Sequence, residues 1–143
     1  MSSRQHLFDV LNQFLRLART AKLQYEQHLT RIDHEPAQDV IAGIINEENQ
    51  HVEWLVTAIK DSGGIAITDH YDIAAPEVFE HMMRADYELE SQIVNEYELH
   101  LEEIWDPQLR SLAEVILKEA MQHKEEFRGL LEDFGTDELM DVG

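Results

Sequence analysis

Two glutamates and two histidines stand where the sequence pattern otherwise places apolar residues. Glu48 and His51 lie three residues apart in the second helical segment, and Glu90 and His123 lie on the apolar faces of the third and fourth segments. A buried carboxylate is costly unless a cation or hydrogen-bond donors compensate its charge. Carboxylate oxygens and imidazole nitrogens are common ligands of Fe(II), Mn(II) and Zn(II). The four side chains are therefore candidate metal ligands.

Helical geometry can bring these four side chains to one level. Counted from the nearest hairpin turn, all four lie between about 17 and 24 Å along their segments at the rise of an α-helix. Glu48 and His51 are also one turn apart on the same face. The spacing predicts one layer of two imidazoles and two carboxylates near mid-depth in a helical bundle.

The elements that must position this layer are four amphipathic helices. Apolar residues recur at alternating spacings of three and four, which is typical of helices that pack nearly parallel or antiparallel. Pro36, Gly63 and Pro107 mark helix ends. We expect helices, with approximate bounds from these end signals, over 3–33, 37–61, 76–105 and 107–135, and a short tail over 136–143.

The sequence also repeats itself after 72 residues. Under that shift Tyr25 matches Tyr97 and His51 matches His123. The repeat predicts two helical hairpins, 3–62 and 76–135, within a single domain over 1–135. The linker between them is long enough to run the length of the bundle, which favours a crossover connection. The predicted fold class is all-α.

The motifs around the candidate ligands resemble those of the ferritin-like superfamily. The segments QYEQH, EPAQDVIAGIINEENQH, DYELE and LKEAMQH are similar to bacterioferritins, rubrerythrins and encapsulated ferritins, and the resemblance covers nearly the whole chain. It implies a ferritin-like four-helix bundle, two irons, chemistry with oxygen or peroxide, and often iron storage. It also implies that the metal ligands are Glu48, His51, Glu90 and His123, with Tyr25 and Tyr97 as supporting residues.

Two positions depart from the pattern of that superfamily. Ala18 and Ala120 stand where the resemblance implies ligand glutamates, and alanine supplies no ligand. Four of the six ligands remain, which suits one metal ion better than a complete di-iron centre. Three further acidic residues lie close enough to the ligand positions to support a second ion, although the helix directs two of them away from the histidines: Asp86, Glu47 and Glu119.

A metal-free network of buried polar residues is the alternative interpretation. Lys22 lies one turn from Ala18, and its ammonium group could balance the carboxylates in place of a metal. The chain would then be a degenerate ferritin-like bundle that acts through assembly or partner binding. The other histidines are interpreted as structural: His28 and His100 at the edge of the core or on the surface, and His6 on the surface.

The charge balance limits the partners of the chain. The 143 residues include 11 Lys and Arg against 30 Asp and Glu, a formal charge of -19. Such a field repels nucleic acids and anionic lipids and attracts cations. The lack of cysteine excludes disulfides and thiolate ligands. Neither a membrane span nor a secretory signal is evident, so we expect a cytoplasmic location.

The sequence therefore predicts a ferritin-like metal-binding protein. Iron is the expected cofactor, one or two ions per chain, with manganese or zinc as alternatives. If the protein is catalytic, we expect a ferroxidase-like oxidation of Fe(II), and no residue is assigned as catalytic. The expected partners are metal ions, dioxygen or peroxide, and further copies of the chain in a homo-oligomer.

Overall fold

Four long helices make up most of the chain in the computed structural model, which describes residues 2–135. They are α1 (Ser2–Leu29), α2 (Glu35–Asp61), α3 (Phe79–His100) and α4 (Pro107–Leu130). A 3-10 turn, Leu101–Glu103, follows α3, and a π-helical turn follows α4. The helices pack mainly as two pairs, α1 with α2 and α3 with α4. The predicted all-α bundle of two hairpins is confirmed, while the tail at 136–143 lies outside the described residues.

Local sequence signals set the starts of α2 and α4. His34 caps α2, because its Nδ1 accepts a hydrogen bond of 3.3 Å from the N–H of Ala37. Asp106 caps α4 by accepting from the N–H groups of Gln108 and Leu109. Both helices carry proline in the first turn, where its fixed φ and absent N–H are no disadvantage. These caps satisfy N–H groups that have no partner within the helix.

The linker between α2 and α3 runs along α1 as an extended segment. Polar side chains of α1 bind its backbone at successive heights, so the linker crosses the bundle in the direction of α1. This is the crossover connection predicted from its length. Three α1 side chains accept from linker N–H groups: Asn12 from Ile67 at 3.0 Å, Thr20 from Tyr71 at 2.9 Å and Gln24 from Ala74 at 3.0 Å.

The third helix is shorter than predicted. It begins at Phe79 rather than Pro76, and the residues just before it are bound from the turn that follows α1. The guanidinium group of Arg31 lies 3.4 Å from the carbonyl oxygens of Ala75 and Pro76, to which it donates. Three helices also end before the predicted residue: α1 at Leu29, α3 at His100 and α4 at Leu130.

The interior of the bundle is the predicted apolar seam, interrupted by a small set of buried polar groups. The most deeply buried apolar side chains include Leu11, Phe14, Ile41, Ile44, Leu55, Met83, Ile116 and Phe127.

Because α3 runs antiparallel to α1, the end of α1 faces the start of α3. Within residues 2–135, none of the helices is long and apolar enough to cross a membrane.

Substitution of Gly63 and Gly43 tests where the backbone in and after α2 needs glycine and where it does not. Gly63 follows the end of α2 with a φ of 92°, so Gly63→Ala should lower the free energy of unfolding by about 1 kcal/mol. Gly43 lies on the exposed face of α2 with no atom near an added Cβ, so Gly43→Ala should raise it by about 1 kcal/mol. Urea denaturation measures both changes, and effects of equal sign would contradict this interpretation.

Candidate metal centre

Three of the four predicted ligands converge inside the bundle. Glu48 of α2, Glu90 of α3 and His123 of α4 each present a ligand atom, and these atoms lie within 4.8 Å of one another. The Nδ1 atom of His123 is 3.6 Å from Oε1 of Glu48 and 3.5 Å from Oε2 of Glu90. All three side chains are buried, with at most 1% exposure. We name these three residues the buried triad.

His51, the fourth predicted ligand, lies beside the buried triad rather than within it. Its Nδ1 is 3.2 Å from Oε1 of Glu48, and its ring centre is 6.0 Å from that of His123. Glu48 is therefore the carboxylate that both histidines share. Because His51 is itself buried, it adds a second imidazole to the wall of the same centre.

The buried triad contains polar atoms that have no hydrogen-bond partner among residues 2–135. They are Oε2 of Glu48, Oε1 of Glu90 and Nδ1 of His123. Outside the triad, the hydroxyl of Tyr97 is also without a partner in this part of the chain. Buried polar groups in folded proteins are nearly always satisfied, so a cluster of unsatisfied atoms is a place where a water molecule or an ion is expected. One cation between the two carboxylates and the imidazole would compensate all three triad residues, and this donor set suits a transition metal.

Each histidine is also held from outside by a carboxylate of the opposite hairpin. Nε2 of His123 donates to Glu47 at 2.5 Å, and Nε2 of His51 donates to Glu119 at 2.8 Å. The two contacts are equivalent under the internal repeat. Because a carboxylate accepts the Nε2 proton, the Nδ1 atom of each ring faces Glu48 and is the atom available to a metal. Glu47 and Glu119 thus contact the outer nitrogens, which agrees with the expectation that they point away from the ligand positions.

Two buried tyrosines flank the centre in different ways. The hydroxyl of Tyr25 donates to Oε2 of Glu90 at 2.7 Å. Tyr97 stacks on Phe14 with ring centres 3.7 Å apart, but its hydroxyl has no partner in the described part of the chain. The internal repeat explains the difference, because Ala18 occupies the position equivalent to Glu90. Tyr97 therefore lacks the carboxylate that Tyr25 binds.

Mutual electrostatics set the protonation of the buried triad. Burial disfavours a charged His123, but the adjacent carboxylates of Glu48 and Glu90 prevail and raise its pKa to about 11. Burial and the charge of Glu48 raise the pKa of Glu90 to about 7. Burial also opposes ionisation of Glu48, yet the two histidines prevail and lower its pKa. Without a metal, these shifts favour an imidazolium at His123 beside an ionised Glu48.

Two residues predicted to support the centre make other contacts. The ammonium of Lys22 lies 4.0 Å from Glu26 on a half-buried face of α1, so it pairs with Glu26 rather than with the buried carboxylates. Asp86 binds His28 at 2.9 Å and Gln24 at 2.8 Å, one turn from Glu90 along α3. His28 is fully buried in this cluster, so its predicted position at the edge of the core or on the surface is wrong. The opposing carboxylate of Asp86, which lies on the other hairpin, makes this burial tolerable.

No protein-family model matches the chain, and no curated protein shows significant similarity to its sequence. Solved structures do match. A ferritin-like, diiron-carboxylate protein from Bacillus anthracis str. Ames aligns with a TM-score of 0.84 at 20% identity, over 92% of this chain and 99% of that one. The Desulfovibrio desulfuricans bacterioferritin, which has a diiron site, aligns with a TM-score of 0.85 at 19% identity, over 99% of this chain and 89% of that one.

A third neighbour extends the same result. A dodecameric thioferritin, the bacterioferritin-related protein from Bacteroides fragilis, aligns with a TM-score of 0.84 at 17% identity, over 98% of this chain and 92% of that one. The chain therefore has the ferritin-like four-helix fold. Because sequence identity is this low, the similarity defines the fold, and the chemistry of the centre depends on the residues of this chain.

Proposed function

We propose that this ferritin-like chain binds one divalent transition-metal ion, with iron as the expected metal, in the buried triad. The convergence of Glu48, Glu90 and His123 supports this most directly, because unsatisfied atoms of all three residues meet at one place. An imidazole in the donor set favours iron, manganese or zinc over calcium or magnesium. Two of the structural neighbours are described as diiron proteins, which favours iron among the three.

The number of ions follows from the two alanines. Ala18 and Ala120 are buried and offer no ligand atom where the internal repeat would place partners of Glu90 and Glu48. The remaining ligands come from α2, α3 and α4, and they surround a single position. We therefore propose a centre for one ion rather than two.

The surrounding side chains prepare this position for a metal. Tyr25 orients Glu90, Glu47 holds the ring of His123, and the apolar core excludes water. Iron bound there would supply one-electron redox chemistry toward dioxygen or peroxide. If Fe(II) is the substrate, two ions must be oxidised for each dioxygen reduced to hydrogen peroxide, because each Fe(II) gives one electron. Oxygen uptake on addition of Fe(II), with that ratio, would test this reaction.

Elemental analysis of protein purified without chelators tests the metal proposal. We expect about one iron, manganese or zinc ion per chain in the wild type, and a loss of affinity of at least about tenfold in Glu90→Gln, because a neutral amide is a poor ligand. Glu80→Gln is the matched control. Glu80 is also a buried glutamate of α3, but its carboxylate binds Arg84 outside the triad, so the metal should remain.

One observation favours a metal-free bundle as the second candidate. The raised pKa of His123 means that its imidazolium can compensate Glu48 without a metal. The chain would then act as an assembly or interaction module. Wild-type protein that contains no metal, and takes up neither Fe(II) nor Zn(II) when they are added, would support this candidate and overturn the metal proposal.

We also propose that the chain forms a homo-oligomer. The Bacteroides fragilis neighbour is a dodecamer, and this chain exposes large apolar side chains, among them Trp105 at 63% and Leu99 at 67% exposure. Contiguous exposed apolar patches often mark contact surfaces, whereas single exposed side chains do not. Light scattering on the purified chain would measure the assembly, and a monomer at all accessible concentrations would contradict it. The cytoplasmic location stays a prediction.

A further inference from the structure

A second group of metal-binding side chains lies on the surface, where α1 begins and α3 ends. His6 lies near the start of α1, His100 is the last residue of α3, and Glu103 ends the 3-10 turn that follows. One ligand atom from each residue lies within 4.8 Å of the others. Because α1 and α3 are antiparallel, residues 97 positions apart meet at this end of the bundle.

The carboxylate of Glu103 joins the two imidazoles. One of its oxygens contacts Nε2 of His6, and the other lies 2.9 Å from Nδ1 of His100. The ring centres are 6.5 Å apart. Hydrogen bonds from both histidines lower the pKa of Glu103, which keeps it a carboxylate. Two imidazole nitrogens and one carboxylate oxygen therefore converge from three separate elements.

A further carboxylate lies beside the outer nitrogen of His100. Oε2 of Glu96 lies 3.4 Å from Nε2 of His100, on the side of the ring away from Glu103. A carboxylate in that position favours a proton on Nε2 and leaves Nδ1 free to bind a metal. Glu47 lies beside the outer nitrogen of His123 in the buried triad and makes a hydrogen bond there, and the two clusters share no residue.

We propose that His6, His100 and Glu103 form a second metal site, which takes a divalent transition-metal ion such as Zn(II). Two nitrogens and one oxygen are donors that suit zinc, and they are a poor set for calcium or magnesium, which prefer oxygen ligands. His6 and Glu103 have exposed side chains, so the remaining coordination positions open to solvent. The acidic field of the chain would concentrate cations near this surface.

Metal at this surface site would join the start of α1 to the connection between α3 and α4. The first turn of a helix frays readily where few tertiary contacts hold it. A bridge from His6 to His100 and Glu103 would suppress that fraying. The site lies about 15 Å along α3 from Glu90, at the rise of an α-helix, so its occupancy can be measured separately from that of the buried triad.

Zinc titration of the chelator-treated full chain tests the surface site. We expect His6→Gln and Glu103→Gln to bind one zinc ion fewer than the wild type at low zinc, or to bind it at least about tenfold more weakly. Both positions are exposed, so the substitutions leave the core intact. His81→Gln is the matched control, because His81 is an exposed histidine of α3 outside both clusters.

Hydrogen exchange adds a readout that assigns the zinc to this place. Zinc should slow amide exchange at residues 4–10 in the wild type, in His81→Gln and in Glu90→Gln, but not in His6→Gln or Glu103→Gln. Equal zinc affinity and stoichiometry in the wild type and both variants would overturn the proposal, as would unchanged exchange at residues 4–10. Failure of the buried triad to bind metal would leave these results unaffected.

Discussion

The double substitution Ala18→Glu with Ala120→Glu is expected to raise the metal content from one ion per chain to two. Under the internal repeat, Ala18 is equivalent to Glu90 and Ala120 is equivalent to Glu48. The two new carboxylates would therefore complete a symmetric set of ligands. The hydroxyl of Tyr97, which has no partner among residues 2–135, would gain an acceptor at position 18, as Tyr25 has in Glu90. Elemental analysis after loading with Fe(II) or Zn(II) measures the change.

Stability provides a second measurement of the same substitution. Without metal, two added buried carboxylates should lower the free energy of unfolding by about 3 kcal/mol or more, and saturating metal should restore it. Ala18→Gln with Ala120→Gln is the matched control, since it adds the same volume with no charge and should keep one ion. If the glutamate variant still binds a single ion, positions 18 and 120 do not face the metal position.

Replacing His123 with alanine is expected to cost about 3–5 kcal/mol of unfolding free energy in chelator, because Glu48 and Glu90 lose the imidazolium that compensates them. Urea denaturation measures the loss. Substitution of an exposed histidine such as His81 should change the free energy by no more than about 0.5 kcal/mol.

A combined variant separates charge from packing in that result. When Glu48→Gln and Glu90→Gln accompany His123→Ala, no uncompensated carboxylate remains, so part of the lost free energy should return. Additive losses from the three substitutions would show instead that the single variant is destabilised by its cavity alone.

Much of the fold could be predicted from the sequence because its determinants are local. The alternation of apolar spacings defines four helical faces, and the capping residue Asp106 fixes the start of α4. The start of α3 could not be predicted in this way. Its position depends on two contacts with the linker: Gln24 of α1 accepts from the N–H of Ala74, and Arg31, in the turn after α1, donates to the carbonyl oxygen of Ala75. These contacts exist only after the hairpins have packed together.

The convergence of the candidate ligands at one level could be predicted for a related reason. Glu48, Glu90 and His123 interrupt apolar faces, and equal heights above the hairpin turns bring them to one level. The position of His51 outside the triad, and the pairing of Lys22 with Glu26, depend on side-chain direction rather than on height. Periodicity does not contain that information.

Two histidine clusters escaped the sequence analysis because their partners are distant in the chain. His28 pairs with Asp86 of the other hairpin, and no local sequence pattern identifies either residue as the partner of the other. The contact of His6 with Glu103 also depends on the early end of α3 and the tight turn that follows. The internal repeat gave a partial signal, since it relates His28 to His100, and both rings contact a carboxylate.

Because Ala18 offers no ligand atom, α1 takes a different part in the centre from the other three helices. The buried triad draws on α2, α3 and α4, whereas α1 contributes the hydroxyl of Tyr25, which donates to Glu90. An ion at mid-depth would therefore join α2, α3 and α4 directly, whereas α1 would be held by its packing against α2 and α3 and by its hydrogen bonds to the linker. A local displacement of α1 would then leave the three ligands of the metal in place.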